Sequence, residues 1–230
     1  MIPHGWSSLS GPTLTSARAG KAFVISSPSG GGKTTVVSQL LRRIPRLSRS
    51  VSVTTRAPRP GERPGREYRF VTAPAFKRLQ RSGQLLEWAK VHGAYYGTPK
   101  RQIEQALARG RDVILNIDVQ GARQIRRRLG KRAVLVFLLP PSLRQLRERL
   151  ARRRTDSSSV IRRRMAAARR ELACASWYDH TVINDQLAQA VGRVEAIVRN
   201  LRRPQPARLM PRGGSPRPSR ETARWRKRSE

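Results

Sequence analysis

Residues 27–34 read Ser-Pro-Ser-Gly-Gly-Gly-Lys-Thr, a run whose residue types and spacing suit the binding of a polyphosphate. Gly30, Gly31 and Gly32 can take positive φ and turn successive backbone N–H groups toward one point. Lys33 supplies a cation that reaches the β- and γ-phosphates of a nucleotide. The Thr34 hydroxyl supplies a hard oxygen for Mg²⁺. Ser27, Pro28, Ser29 and Thr35 complete the run, whose strict form carries glycine where Ser27 stands. This loop is expected to bind a nucleoside triphosphate. A second set follows within residues 52–70, where Arg56 and Arg59 lie three apart on a proline-stiffened stretch that continues to Tyr68. Two forked guanidiniums so spaced can hold one phosphate between them. Glu87 and the Tyr95-Tyr96-Gly97-Thr98 stretch come next.

The elements around these residues read as an α/β sandwich. The apolar run 22–25 before the loop predicts a buried strand, and 36–41 after it the start of a helix, whose N-terminal partial charge adds to the anion site. Further apolar runs at 113–118, 134–139 and 181–184 predict strands, and their unbroken apolarity indicates parallel strands covered on both faces. Helices are expected over 100–109, ending at Gly110, from the Ser142 cap to about 153, over 160–173 and over 188–201. Residues 51–98 break this rhythm. Short strands at 51–55, 68–71, 85–89 and 95–97, largely antiparallel, are separated by Pro- and Gly-containing turns and by one helix at 74–81, with Thr72 or Ala73 near its cap. Such a mixed insertion in a parallel-sheet domain is a place to hold a second substrate.

The chain has 230 residues and a formal net charge of +35, with 42 Arg against 7 Lys. Residues 1–20 are rich in Ser, Thr, Gly and Pro, and 201–230 read as a basic disordered tail, leaving 21–200 as the folded part. An Arg-biased composition with solvated helix faces accounts for most of the charge. The alternative is a polyanion partner such as RNA, held nonspecifically through its phosphates. The arginine runs at 126–128, 152–154 and 162–164 lack the interleaved aromatics of a stacking platform, which favours the first reading. The single Cys174 excludes an intrachain disulfide and reads as a small buried apolar residue. No apolar run approaches a membrane span, so a cytoplasmic protein without membrane contact is expected.

Several spaced motifs, SPSGGGKT, SVTTRAPRPGE, LLEWAKVHGAYYGTP, ILNIDVQGARQI, LPPSLRQLRERLARR and VINDQL, occur in an order that closely resembles guanylate kinases across residues 21–200. The resemblance implies a P-loop nucleoside monophosphate kinase fold, in which a central parallel sheet flanked by helices carries a mixed GMP-binding insertion and a helical lid. Its parts would be a core of 21–50, 110–148 and 165–200, a GMP-binding subdomain of 51–98 and a lid of 149–164. The implied reaction moves a phosphoryl group from Mg²⁺-bound ATP to GMP, with dGMP as a further acceptor, in a monomer or homodimer. Arg56, Arg59, Tyr68 and Tyr96 would bind the GMP phosphate. Ser52, Glu87, Thr98 and Asp118 would read guanine, whose N1–H and N2–H₂ donors suit a carboxylate. Arg149, Arg153 and Arg164 match the lid arginines. Asn184 stands where the family meets adenine, or else turns the end of a strand. Asn116 departs from the acidic residue usual at its position, and Ser158 and Ser159 replace common acids at the lid tip.

Overall fold

The computed structural model describes residues 18–59, 61–66, 68–152 and 157–203. Five strands form one parallel sheet: β1 (Ala22–Ser26), β2 (Leu47–Arg49), β7 (Asp112–Asn116), β8 (Ala133–Leu139) and β9 (His180–Ile183), in the order β2-β7-β1-β8-β9. Alternate residues of β1 enter opposite cores. Ala22 and Val24 face α3 (Lys100–Ala108) and α4 (Val119–Leu129), whereas Phe23 and Ile25 face α1 (Lys33–Arg43) and α7 (Leu187–Arg202). Helices on both faces explain why these strands read as continuous apolar runs rather than alternating ones. The chain reverses its strand order at β1, so the carboxyl ends of β1 and β7 open a crevice there, the usual place for a ligand in an open α/β sheet.

A second sheet contains β3 (Ser52–Thr54), β4 (Tyr68–Phe70), β5 (Leu85–Val91) and β6 (Ala94–Pro99), in the order β4-β3-β6-β5. The β5–β6 and β3–β6 pairs are antiparallel as expected, but β3 and β4 run parallel. Between β4 and β5, α2 (Ala73–Arg81) packs Phe76 under this sheet, and Thr72 caps it by accepting the Ala75 N–H. The two sheets are joined along α4. Arg128 donates to the carbonyls of Leu85 (2.8 Å) and Leu86 (2.6 Å), and Gln124 Nε2 donates to Trp88 O (2.6 Å). Side chains of a core helix thus pair the open edge of β5 and fix it against the parallel sheet.

Other elements depart modestly from expectation. β2 is an unanticipated edge strand, whose Leu-Ser-Arg carries no apolar or aromatic run to mark it. α4 was marked in the sequence only by its arginine run. α5 (Leu143–Ala151), capped by Ser142 as expected, ends two residues early, and Arg153 with the rest of 153–156 lies outside the described residues. α6 (Ser158–Ala173) buries Met165, Ala168 and Leu172, with Ile161 half-buried beside them. Cys174 is half-buried at the end of α6 rather than enclosed. At the amino end of β7, the Asp112 carboxylate is 1% exposed and accepts from Arg18 (2.7 and 2.8 Å), Arg202 (2.7 Å) and the Lys21 N–H (2.8 Å). One buried acid therefore ties both ends of the described chain to the sheet. The N-terminal extension up to residue 17 and the tail from residue 204 lie outside the described residues.

Candidate active site

The loop between β1 and α1 is shaped by three glycines, each for its own reason. Gly30 and Gly32 have φ of 85° and 87°, in the left-handed region that side chains resist. Gly31 does not share that conformation, contrary to the sequence expectation. It needs to be glycine because a Cβ there would lie 2.4 Å from Ser27 Oγ. Ser27 is thus accommodated where the strict motif has glycine: its hydroxyl donates to Pro28 O (3.0 Å) beneath Gly31. Gly32 caps α1 without a side chain, and no acid occupies the first turn. The N-terminal N–H groups of that helix therefore remain available to an anion. Lys33 Nζ donates to Ser27 O and approaches Ser27 Oγ at 3.3 Å, folded back over the loop. Thr34 is exposed, and its hydroxyl accepts from Asn116 Nδ2 at 3.2 Å.

The same cavity continues from the loop to the second sheet. It is lined by all nine loop residues from Ser27 to Thr35, and by Ser52, Arg56, Arg59, Tyr68, Glu87, Tyr96 and Asp118. Arg56 is held on both sides. Its guanidinium forks onto Glu62 (2.8 and 2.9 Å) and lies over the rings of Tyr68 (5.4 Å) and Phe70 (5.9 Å). Glu62 also accepts the Arg59 N–H (2.8 Å), so one carboxylate sets the turn that presents both arginines. Tyr68 and Tyr96 meet edge to face, 5.9 Å between centroids, and burial raises the Tyr68 phenol so that it stays protonated.

Glu87 stands on β5 at the far end of this cavity and is 2% exposed. Thr98 lies behind it on β6 and donates its hydroxyl to Glu87 Oε1 at 2.6 Å. Burial pushes the Glu87 carboxyl up to about 7; the Thr98 hydrogen bond opposes this, nearby Asp118 adds to it and Arg128 opposes it. Asp118 caps α4 by accepting the Gly121 N–H (2.9 Å) and also accepts from Gln120 (3.0 Å). Two carboxylates thus face one small region of the cavity, a arrangement suited to a ligand edge rich in N–H donors.

The cavity also contains residues without a sequence signal of their own, among them Val91, His92, Ile117 and Glu171. Glu171, on α6, faces the phosphate loop across the cavity, where the Ser29 backbone favours its ionised form. Burial raises its carboxyl first, Lys33 lowers it and Asp118 raises it again. An acid in an arginine-rich helix gave no hint of that location. Two of the lid arginines, Arg149 and Arg164, stand back from the cavity. Arg149 on α5 donates to Asn184 O (3.0 Å), and Arg164 is half-buried on α6. Neither is among the cavity-lining residues, although Leu146 and Leu150 of α5 pack against Gly30 of the loop. Asn184 is buried at the end of β9 and its amide donates to Gly31 O (2.8 Å), bracing the loop from below.

A phosphate loop at the switch point of a parallel sheet, open to an acceptor pocket on a separate sheet, defines a P-loop kinase with two substrate sites. The family model for guanylate kinase matches residues 19–201. The guanylate kinase of Dechloromonas aromatica is 51% identical over 181 residues, covering 79% of this chain and 89% of that protein. The guanylate kinase of Rhizobium meliloti is 48% identical, covering 79% and 83%. The crystal structure of guanylate kinase from Anaplasma phagocytophilum superposes with a TM-score of 0.69 at 34% identity, covering 80% of this chain and 87% of that one. The chain belongs to the guanylate kinase family.

Proposed function

We propose that this chain transfers the γ-phosphoryl group of ATP to GMP, giving ADP and GDP, with dGMP as a second acceptor. The observation that carries the reading is the buried Glu87, backed by Thr98 and facing the same cavity as Lys33 and the phosphate loop. The loop amides and Lys33 bind the triphosphate of ATP. Arg56, Arg59, Tyr68 and Tyr96 hold the GMP phosphate, and Ser52, Glu87 and Asp118 read its base. In the transfer, an oxygen of the GMP phosphate bonds to the γ-phosphorus as the bond to the ADP oxygen breaks. That oxygen is already anionic, so no general base is required. Catalysis then rests on alignment and on neutralising charge spread over the transferring group. Lys33 is one such cation, and Arg149, Arg153 and Arg164 join it as the lid closes and excludes water.

Mg²⁺ fits the residues present. The exposed Thr34 hydroxyl, with the Asn116 amide beside it, offers few protein oxygens, as suits an ion that keeps several waters and arrives with phosphates. Thr34 would hold it, and the ion would screen the phosphate charges when bound.

A kinase acting on a phosphorylated sugar would share the loop but has no use for a buried carboxylate pointing at a base edge. A coupled assay of ADP release with GMP, dGMP, AMP and ribose 5-phosphate tests the proposal. GMP-dependent turnover is expected, and turnover with ribose phosphate exceeding that with GMP would overturn it. Among the described residues no helix is long and apolar enough to cross a membrane. The abundant arginines are expected to bind RNA only through bulk charge, a binding that moderate salt removes.

A further inference from the structure

The glycine under the tightest constraint near the acceptor pocket is Gly121, in the first turn of α4. It is buried, and a Cβ built on it would lie 2.3 Å from Glu87 Oε2, 3.0 Å from the Glu87 carboxyl carbon and 3.3 Å from Ile117 Cδ1. Its φ is not positive, so the position demands space rather than backbone freedom. A flexible acid would normally swing aside from such a methyl. Glu87 cannot do so and keep its place, because its other oxygen is held by Thr98. The backbone N–H of Gly121 meanwhile donates to Asp118 Oδ1. A single residue therefore touches both carboxylates at the base end of the cavity.

We propose that Gly121 is a positioning residue that sets specificity for the guanine base. Its missing side chain admits the Glu87 carboxylate to the place where it accepts from N1–H and N2–H, and its amide aims Asp118 beside it. This rests on the assignment of Glu87 and Asp118 to base reading. A methyl group at 121 drives Glu87 off Thr98 and out of register with the base. GMP then loses a charge-assisted hydrogen bond at its 2-amino group, whereas inosine monophosphate, which lacks that group, loses less.

The test measures KM and kcat for GMP and inosine monophosphate, and KM for ATP, in the full chain, Gly121→Ala, Glu87→Ala and the double variant. Gly121→Ala should raise KM for GMP by about ten- to a hundredfold, the cost of one hydrogen bond to a charged group. KM for ATP should stay unchanged, and the preference for GMP over inosine monophosphate should narrow. With Glu87 truncated, adding Gly121→Ala should cost nothing more, because the group it collides with is gone. Additive effects of the two substitutions would overturn the inference. Unaltered base preference in Glu87→Ala would instead overturn the base-reading assignment, a result obtained without touching Gly121. Should Gly121→Ala fail to fold, recovery of a cooperative melt in the double variant supports the proposal. A double variant that also fails to fold refutes it.

Discussion

Glu87 should make GMP affinity depend on pH in a range where most carboxylates have finished titrating. Its carboxyl is pushed from 4.5 to about 7, chiefly by burial. Only the ionised form accepts from both N1–H and N2–H of guanine. With half-ionisation near pH 7, about ten molecules in eleven are competent at pH 8 and about one in eleven at pH 6. Apparent affinity scales with that fraction, so KM for GMP should rise about tenfold on going from pH 8 to pH 6. The GMP phosphate, with its second ionisation near pH 6, adds a factor of about two of its own. Turnover at saturating GMP should not follow this curve, because the bound state has already released the proton. The assay is initial-rate ADP release across GMP concentrations at each pH, with coupling enzymes in excess, backed by calorimetric binding of GMP. In Glu87→Gln, GMP should bind more weakly throughout and the pH dependence should shrink to the phosphate's share. The free protein gives a second reading of the same proton. Because the folded carboxyl lies above its unfolded value, its stabilising contribution is full below pH 4.5 and is lost as pH rises toward 7. Glu87→Gln should therefore gain about 3 kcal/mol relative to the parent between pH 4.5 and pH 8, seen in denaturant melts. A KM for GMP that changes no more than twofold between pH 6 and pH 8 would refute the reasoning.

Other substitutions test the remaining parts of the site and frame. Lys33→Ala removes a preorganised cation and should lower kcat by at least about a hundredfold with the melting temperature little changed; near-normal turnover would sink the donor-site assignment. Asn116→Asp should lower the Mg²⁺ concentration needed for half-maximal velocity. A carboxylate accepts the Thr34 proton instead of donating to its oxygen, leaving that lone pair for the ion, and an unchanged Mg²⁺ titration would count against this. Glu62→Gln loosens the fork onto Arg56 and should raise KM for GMP while leaving KM for ATP alone; equal effects on both would mean that Glu62 only supports the fold. Asp112→Asn weakens two ion pairs but keeps an acceptor oxygen for two partly exposed arginines, so a loss of about 2 kcal/mol is expected, roughly 4–8 °C in melting temperature, without change in KM.

The proposed donor site was legible because its requirements are local. A strand, a glycine turn, Lys33 and a helix start lie within some twenty residues, and each leaves its own mark on composition. The acceptor residues were named from motif register, and the cavity brings together all of them except Thr98, which supports Glu87 from behind. The sequence did not reveal how they are held. Glu62 looks like an ordinary acid in a turn until Arg56 and the Arg59 amide are seen converging on it. Glu171 and Gly121 belong to helices whose contacts with the loop and with Glu87 come entirely from tertiary packing. The parallel β3–β4 pair was missed because three-residue strands carry no directional signal. Gly31 shows a subtler error: the residue type was right for the turn, but the reason was the Ser27 hydroxyl beneath it and not a positive φ.

Asp112 has a consequence for how the folded unit can be handled. Arg18 and Arg202 grip the same carboxylate, so the chain enters and leaves the fold at neighbouring points, at the end of β7 opposite Asn116 and the cavity. A short linker between the two ends would close the unit into a ring, and new termini could be opened in a surface turn. A label, a bead or a fusion partner joined directly to residue 18 or residue 203 would sit at the pole remote from the cavity. Loosening one end would also strip a counter-charge from the acid that anchors the other, so the two ends should fray together rather than independently.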